Sequence, residues 1–101
     1  MQAASGDPVI LSGSAPAFAG AAFTGVKILN KRGEQTFAKQ ITIRCDDATN
    51  DLLVSLNGGT SSITVKKTDL TGVTFIGPLH EFAVKAAAGA SSAWSAIATV
   101  A

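Results

Sequence analysis

Residues 41–56 read ITIRCDDATNDLLVSL. Ile41, Ile43 and Cys45 alternate with Thr42 and Arg44, and Leu52, Val54 and Leu56 alternate with Leu53 and Ser55. In an extended chain a period of two sends successive side chains to opposite faces, so each run buries one face and leaves the other outside. The two runs predict half-buried strands. The Asp- and Asn-rich segment between them, Asp46 to Asp51, predicts a turn, because these side chains hydrogen-bond nearby backbone N–H groups.

The same period continues in both directions. Val26 and Ile28 flank Lys27, Ile63 and Val65 flank Thr64, and Val73 and Phe75 flank Thr74. Phe82, Val84 and Ala86 alternate with Ala83 and Lys85, and Trp94, Ala96, Ala98 and Val100 with Ser95 and Thr99. Val, Ile, Thr and Phe dominate these runs, as half-buried pleated surfaces favour. Asn30 to Gly33, Asn57-Gly58-Gly59 and the looser segment Ala87 to Ser92 read as hairpin connections, and Gly77-Pro78 as a break between the Phe75 and Phe82 strands. The expected fold is all-β, an antiparallel sandwich or barrel of about seven strands. Ala83 to Ala88 is Ala-rich, but it is short and lies in an alternating context, so strand is expected there too. Leu53, Ile76 and Ile97 fall on otherwise polar faces, which fits a second surface covered by a partner.

The first two dozen residues differ. MQAASGDPVILSGSAPAFAGAAF is rich in Ala, Gly and Ser, contains Pro8 and Pro16, and has no charge between Asp7 and Lys27. Pro and Gly interrupt every candidate helical turn, while Val9, Ile10, Leu11, Phe18 and Phe23 are too apolar for a solvated tail. The expectation is an extended N-terminal arm over residues 1–24, with one short strand from Val9 to Leu11, joined to a β-domain over residues 25–101. Val9, Ile10, Leu11, Phe18 and Phe23 are the predicted partner-binding residues. The β-domain is expected to fold without the arm.

Composition narrows the function classes. The 101 residues suit one domain; 47% are hydrophobic and only 15% charged, against roughly 25% charged in ordinary soluble domains. No apolar run approaches the ~20 residues of a bilayer-spanning helix. The surplus apolar surface is expected to meet other subunits, so a homo-oligomer or a docked component is expected. With a net charge of +1 and Lys and Arg dispersed among acids, no basic stripe for nucleic acid is present. The absence of Tyr weakens any base-stacking platform. Cys45 is the sole cysteine, so neither an intrachain disulfide nor a cysteine metal cage can form. The N-terminus lacks the basic start of a secretory signal, and assembly in the cytoplasm is expected.

The candidate chemistry is sparse. His80, the only histidine, has Glu81 beside it but no G-x-S-x-G elbow to supply a nucleophile. Asp46, Asp47, Asn50 and Asp51 offer oxygen ligands, yet their spacing departs from the calcium-loop pattern. Gly58-Gly59-Thr60-Ser61-Ser62 lacks the G-K-[ST] ending of a phosphate loop and joins two strands. Cys45 falls on the core face of its strand. Trp94 suits a core plug between sheets; an exposed indole would instead make a sugar-stacking platform. No catalytic, cofactor or metal residues are assigned.

The second half, DLLVSLNGGTSSITVKKTDLTGVTFIGPLHEFAVKAAAGASSAWSAIATVA, together with the arm, resembles the small β-rich structural proteins of tailed bacteriophages, namely capsid decoration or cement proteins and their neck and tail relatives. The shared features are a Leu/Val strand, an Asn-Gly-Gly turn, a Thr-rich hairpin, and a last strand ending in Ala and Val. The resemblance implies a virion structural role without enzymatic activity or cofactor. It also implies contact with the major capsid protein or other virion subunits; from the charge and apolar-run arguments above, no nucleic acid or membrane partner is expected. A neck, tail or fibre component, or a carbohydrate-binding β-sandwich built around Trp94, is the alternative.

Overall fold

A computed structural model describes residues 7–15, 23–56, 62–89 and 91–100. These residues hold eight strands: β1 (Asp7–Ala15), β2 (Thr24–Lys27), β3 (Ala38–Cys45), β4 (Leu52–Leu56), β5 (Ile63–Val65), β6 (Val73–Leu79), β7 (Glu81–Ala86) and β8 (Ser92–Val100). They form two antiparallel four-stranded sheets. Sheet A has the order β1-β8-β3-β6 and sheet B the order β2-β7-β4-β5. This pair of orders is that of an eight-stranded jelly roll, in which nearly every connection crosses between sheets.

The alternation read in the sequence becomes burial. β7 alternates half-buried and buried residues without exception, with Phe82, Val84 and Ala86 inside, and β8 buries Ser92, Trp94, Ala96, Ala98 and Val100. The small residues of β8 have a packing reason. Ala98 lies between Val9 and Ile41, and Ala96 between Leu11 and Ile43. A central strand flanked by branched side chains on both sides has room only for methyl groups in that layer. Where the layer widens, Trp94 meets Phe82 of the opposite sheet edge to face, with ring centroids 5.4 Å apart and planes at 83°.

Several expectations change. The described residues hold eight strands, one of them the expected Val9–Leu11 strand, which runs nine residues and pairs with β8 from Asp7↔Val100 to Ala15↔Ser92. Residues 7–15 of the expected arm are thus the edge of this chain's own sheet, with Ala15 buried and Val9 and Leu11 packed on the core. Ala87 to Ser92 is not a hairpin, since β7 and β8 belong to different sheets. Asn30 to Gly33 does close a local ribbon, with Leu29 bridged to Gln35, but that ribbon carries the chain from sheet B to sheet A. Gly77-Pro78, a cis peptide, lies within β6 and does not end it. There Ala38 pairs Leu79 and Gln40 pairs Ile76, so Gly77 and Pro78 together oppose the single residue Lys39, a bulge on β6. A Cβ on Gly77 would collide with the Ala38 carbonyl oxygen, so only glycine fits this crossing. Asn57-Gly58-Gly59 lies outside the described residues, although the strands on either side, β4 and β5, pair antiparallel.

Candidate interaction surface

The outer face of sheet A can be assembled row by row from its register. One row runs Ile10, Ile97, Thr42, Thr74; the next runs Pro8, Thr99, Gln40, Ile76; a third runs Ser12, Ser95, Arg44. Ile10 is 77% exposed, Ile97 57% and Ile76 73%. Single exposed aliphatics are ordinary on any protein surface. Here Ile10 and Ile97 are directly opposite on adjacent strands, and Ile76 lies on the same face in the next row, on the far edge strand β6.

The polar members of the face satisfy one another. Thr42 and Thr74 share a hydroxyl–hydroxyl hydrogen bond of 2.8 Å. Arg44 is the one ionisable side chain in the three rows, and its Nε donates to Asp46 Oδ1 at 2.9 Å. A shallow depression lined by Ile10, Thr42, Arg44, Thr71, Ser95 and Ile97 runs across this face. Sheet B contrasts with it. Its outer side carries Lys27, Glu81 and Lys85, and the Lys85 ammonium stands 5.8 Å from the centre of the Phe23 ring. Removing charged groups from water makes association costly, so the rows through Ile10 and Ile97, whose one ion is paired, are better suited to burial than the margin of the face at the exposed Lys39.

The predicted partner-binding residues separate. Ile10 projects outward, whereas Val9 and Leu11 turn toward this chain's own core. Phe23 is half-buried beside Lys85, and Phe18 lies outside the described residues. Ile97 and Ile76, noted in the sequence only as departures from alternation, join Ile10. What brings them together is the β1-β8-β3-β6 order, which no local pattern contains.

The other candidates have structural employment. Asp47 Oδ2 accepts hydrogen bonds from the backbone N–H groups of Thr49 (3.0 Å) and Asn50 (2.7 Å). Those bonds, chiefly that from Asn50, lower its pKa below the usual aspartate value. Asp46 faces Arg44 and Asp51 accepts from Lys67 N at 2.8 Å, so the acids point to separate donors. Among the described residues no three His, Cys, Asp or Glu side chains converge as metal ligands. Cys45 is buried, and its thiol donates to the Asn50 carbonyl at 3.2 Å. His80 is exposed at the β6–β7 corner with its ring 6.0 Å from that of Phe37. Concavities on either side of that pair are lined by Lys27, Gln35, Thr36 and Glu81, and by Lys39, Gly77 and Pro78. Trp94 is 4% exposed, so its ring offers no stacking platform for a sugar.

The chain matches no protein-family model and no curated protein.

Proposed function

We propose that this chain is a non-catalytic structural subunit of a virion, a capsid decoration or cement protein that seats the outer face of sheet A on an assembled shell. The observation that carries this reading is the exposed pair Ile10 and Ile97, with Ile76 on the far edge strand of the same face, in rows whose one ionisable side chain, Arg44, is ion-paired to Asp46. Fully burying an aliphatic side chain contributes about 1.5–3 kcal/mol, so three of them supply a modest gross attraction per copy. The ordering of each subunit offsets much of that attraction. A shell that presents many copies of its subunit turns weak single contacts into collective retention. Jelly rolls also serve as lectin and cupin domains, so the fold alone does not select the role. A buried Trp94, and an exposed His80 that is the only histidine of the sequence, give little support to sugar stacking or to a metal-centred pocket.

The expected contact uses Ile10 from the N-terminal segment and Ile97 and Ile76 from the body of the domain. The experiment is co-sedimentation of the purified chain with shells assembled from the capsid protein encoded alongside it. Binding at a fixed ratio, with a raised shell melting temperature, is expected, and Ile97→Lys should abolish both. A chain that stays in the supernatant at saturating concentration would overturn the proposal.

A further inference from the structure

A jelly roll has four sheet edges, and those of this chain are not alike. An edge strand exposes unpaired N–H and C=O groups, and proteins ordinarily blunt it by shortness, charge, Pro or irregularity. β5 has three residues, and β2 has four and ends in Lys27. β6 is interrupted by Gly77-Pro78. β1 has nine residues, and from Pro8 to Ala15 it contains no ionisable side chain. Among the described residues no strand pairs with its outer edge.

The register shows which groups that edge presents. Asp46 N donates to Ala93 O at 2.9 Å, so the odd-numbered residues of β8 direct their backbone bonds toward β3. The even-numbered residues of β8 therefore bond β1, through their partners Asp7, Val9, Leu11, Gly13 and Ala15. The backbone groups of Pro8, Ile10, Ser12 and Ser14 then face outward. Pro8 has no N–H, so the position where a donor is missing is one that gives nothing to the ladder. Ile10, Ser12 and Ser14 leave three outward N–H groups in a row.

We infer that β1 is a self-pairing edge: two copies of this chain join antiparallel through β1 about a two-fold axis, merging their A sheets into one continuous eight-stranded sheet. In such a contact residues near the axis lie beside their own copies, so a charge there would stand close to a like charge. A strand neutral from Pro8 to Ala15 carries no such repulsion. With Ser12 opposite Ser12 of the second copy, Ile10 stands opposite Ser14. All three donors of each chain then find carbonyls, and Pro8 lies outside the paired segment. Leu11 comes opposite Gly13, which has no side chain to obstruct it. Ile10 and Ile97 remain on the shared outer face, so pairing widens the candidate docking surface. The inference does not depend on the shell, because the edge and its neutrality are properties of this chain alone.

The test is the solution mass of the full chain by light scattering across a dilution series, for the native sequence and for Ser12→Pro. Native protein is expected at twice its 10.2 kDa chain mass at high concentration and at the single-chain mass when dilute. Proline at position 12 removes an outward N–H and breaks no β1–β8 bond. It should raise the dimer dissociation constant by on the order of tenfold or more, with circular dichroism unchanged. If that variant fails to fold, Ser12→Lys with Ser14→Lys decides, because like charges would meet across the axis. A native chain that stays monomeric at high concentration overturns the inference while leaving shell docking open. A trimer, or a dimer indifferent to the substitutions in folded protein, also overturns it.

Discussion

The indole of Trp94 lies against the backbone of Gly13: a Cβ added to that glycine would stand 3.3 Å from both Cζ2 and Nε1 of the ring. The two residues are register partners on β8 and β1, so the large ring occupies space that the missing side chain leaves open. Gly13→Ala asks the ring to move by a few tenths of an ångström, and Gly13→Val asks for more. Overpacking of this kind costs about 1–3 kcal/mol, so the valine variant is expected to unfold earlier in denaturant with an unchanged m-value. Equal stability of Gly13→Val and native protein would mean that the ring has free room.

Trp94 is the only tryptophan, so its fluorescence reports this contact alone. At 4% exposure, with Nε1 buried and lacking a hydrogen-bond partner among the described residues, the emission is expected to be blue-shifted. Iodide and soluble oligosaccharides should leave it unquenched. Quenching by a sugar in folded protein would restore the carbohydrate-binding alternative.

Ile10 and Ile97 give a test that separates folding from docking. Both side chains are exposed, so Ile10→Lys and Ile97→Lys should each change stability by within about 0.5 kcal/mol. The double variant places like charges directly opposite one another across β1 and β8, and should lose about 0.2–1 kcal/mol beyond the sum of the singles. Shell binding, in contrast, should disappear with either single change. A loss above about 2 kcal/mol from one substitution would show that the side chain is already buried in the free chain.

How far the sequence foretold these features depends on the range of the interaction. Alternation at Ile41, Ile43 and Cys45, or at Phe82, Val84 and Ala86, is a local property, and it translated directly into buried faces. Val9 to Leu11 is instead a continuous apolar run, which suggested a strand without showing which residues face the core. The Pro8, Gly13 and Pro16 that surround it suggested a loose arm, but in an edge strand a proline with its nitrogen outward and a glycine under a tryptophan are both tolerated. Sheet assignment was not legible, since Ala87 to Ser92 has the composition of a hairpin while the chain there passes between sheets. Of the candidate surface, Ile97 and Ile76 were visible as departures from a pattern. Their union with Ile10 follows from pairings between residues more than thirty positions apart.

Because β1 is part of sheet A, residues 1–15 cannot be removed without harming the domain. Their deletion strips the half-buried Val9 and Leu11 and the buried Ala15 from the core and opens one side of β8. Half-burial of two aliphatics contributes about 2–3 kcal/mol, and each lost ladder bond about 1 kcal/mol more. A domain of this size has roughly 5–15 kcal/mol in total, so the truncated chain is expected to be unfolded or aggregated at room temperature. Deleting residues 1–6 leaves β1 whole and serves as the comparison. A cooperative unfolding transition in the chain lacking residues 1–15 would show that the domain does not need β1.

Two turns link folding to acid. The Asp47 carboxylate is held below the usual range mainly by the backbone N–H of Asn50. Asp69 is held there mainly by the Thr71 hydroxyl, which donates to it at 2.8 Å. A carboxylate whose folded pKa lies below its unfolded value binds fewer protons in the folded state. Its contribution is therefore fully present above the unfolded value of about 3.9 and is lost as pH falls through the lowered folded value. Both groups are at the surface, so the effect is small and is best read by difference. Asp47→Asn with Asp69→Asn keeps an acceptor oxygen at each turn and removes the titration. Native protein should lose melting temperature between pH 5 and pH 2 more steeply than this double variant, and the two should differ least at the acid end. Parallel melting curves across that range would show that neither carboxylate is linked to folding.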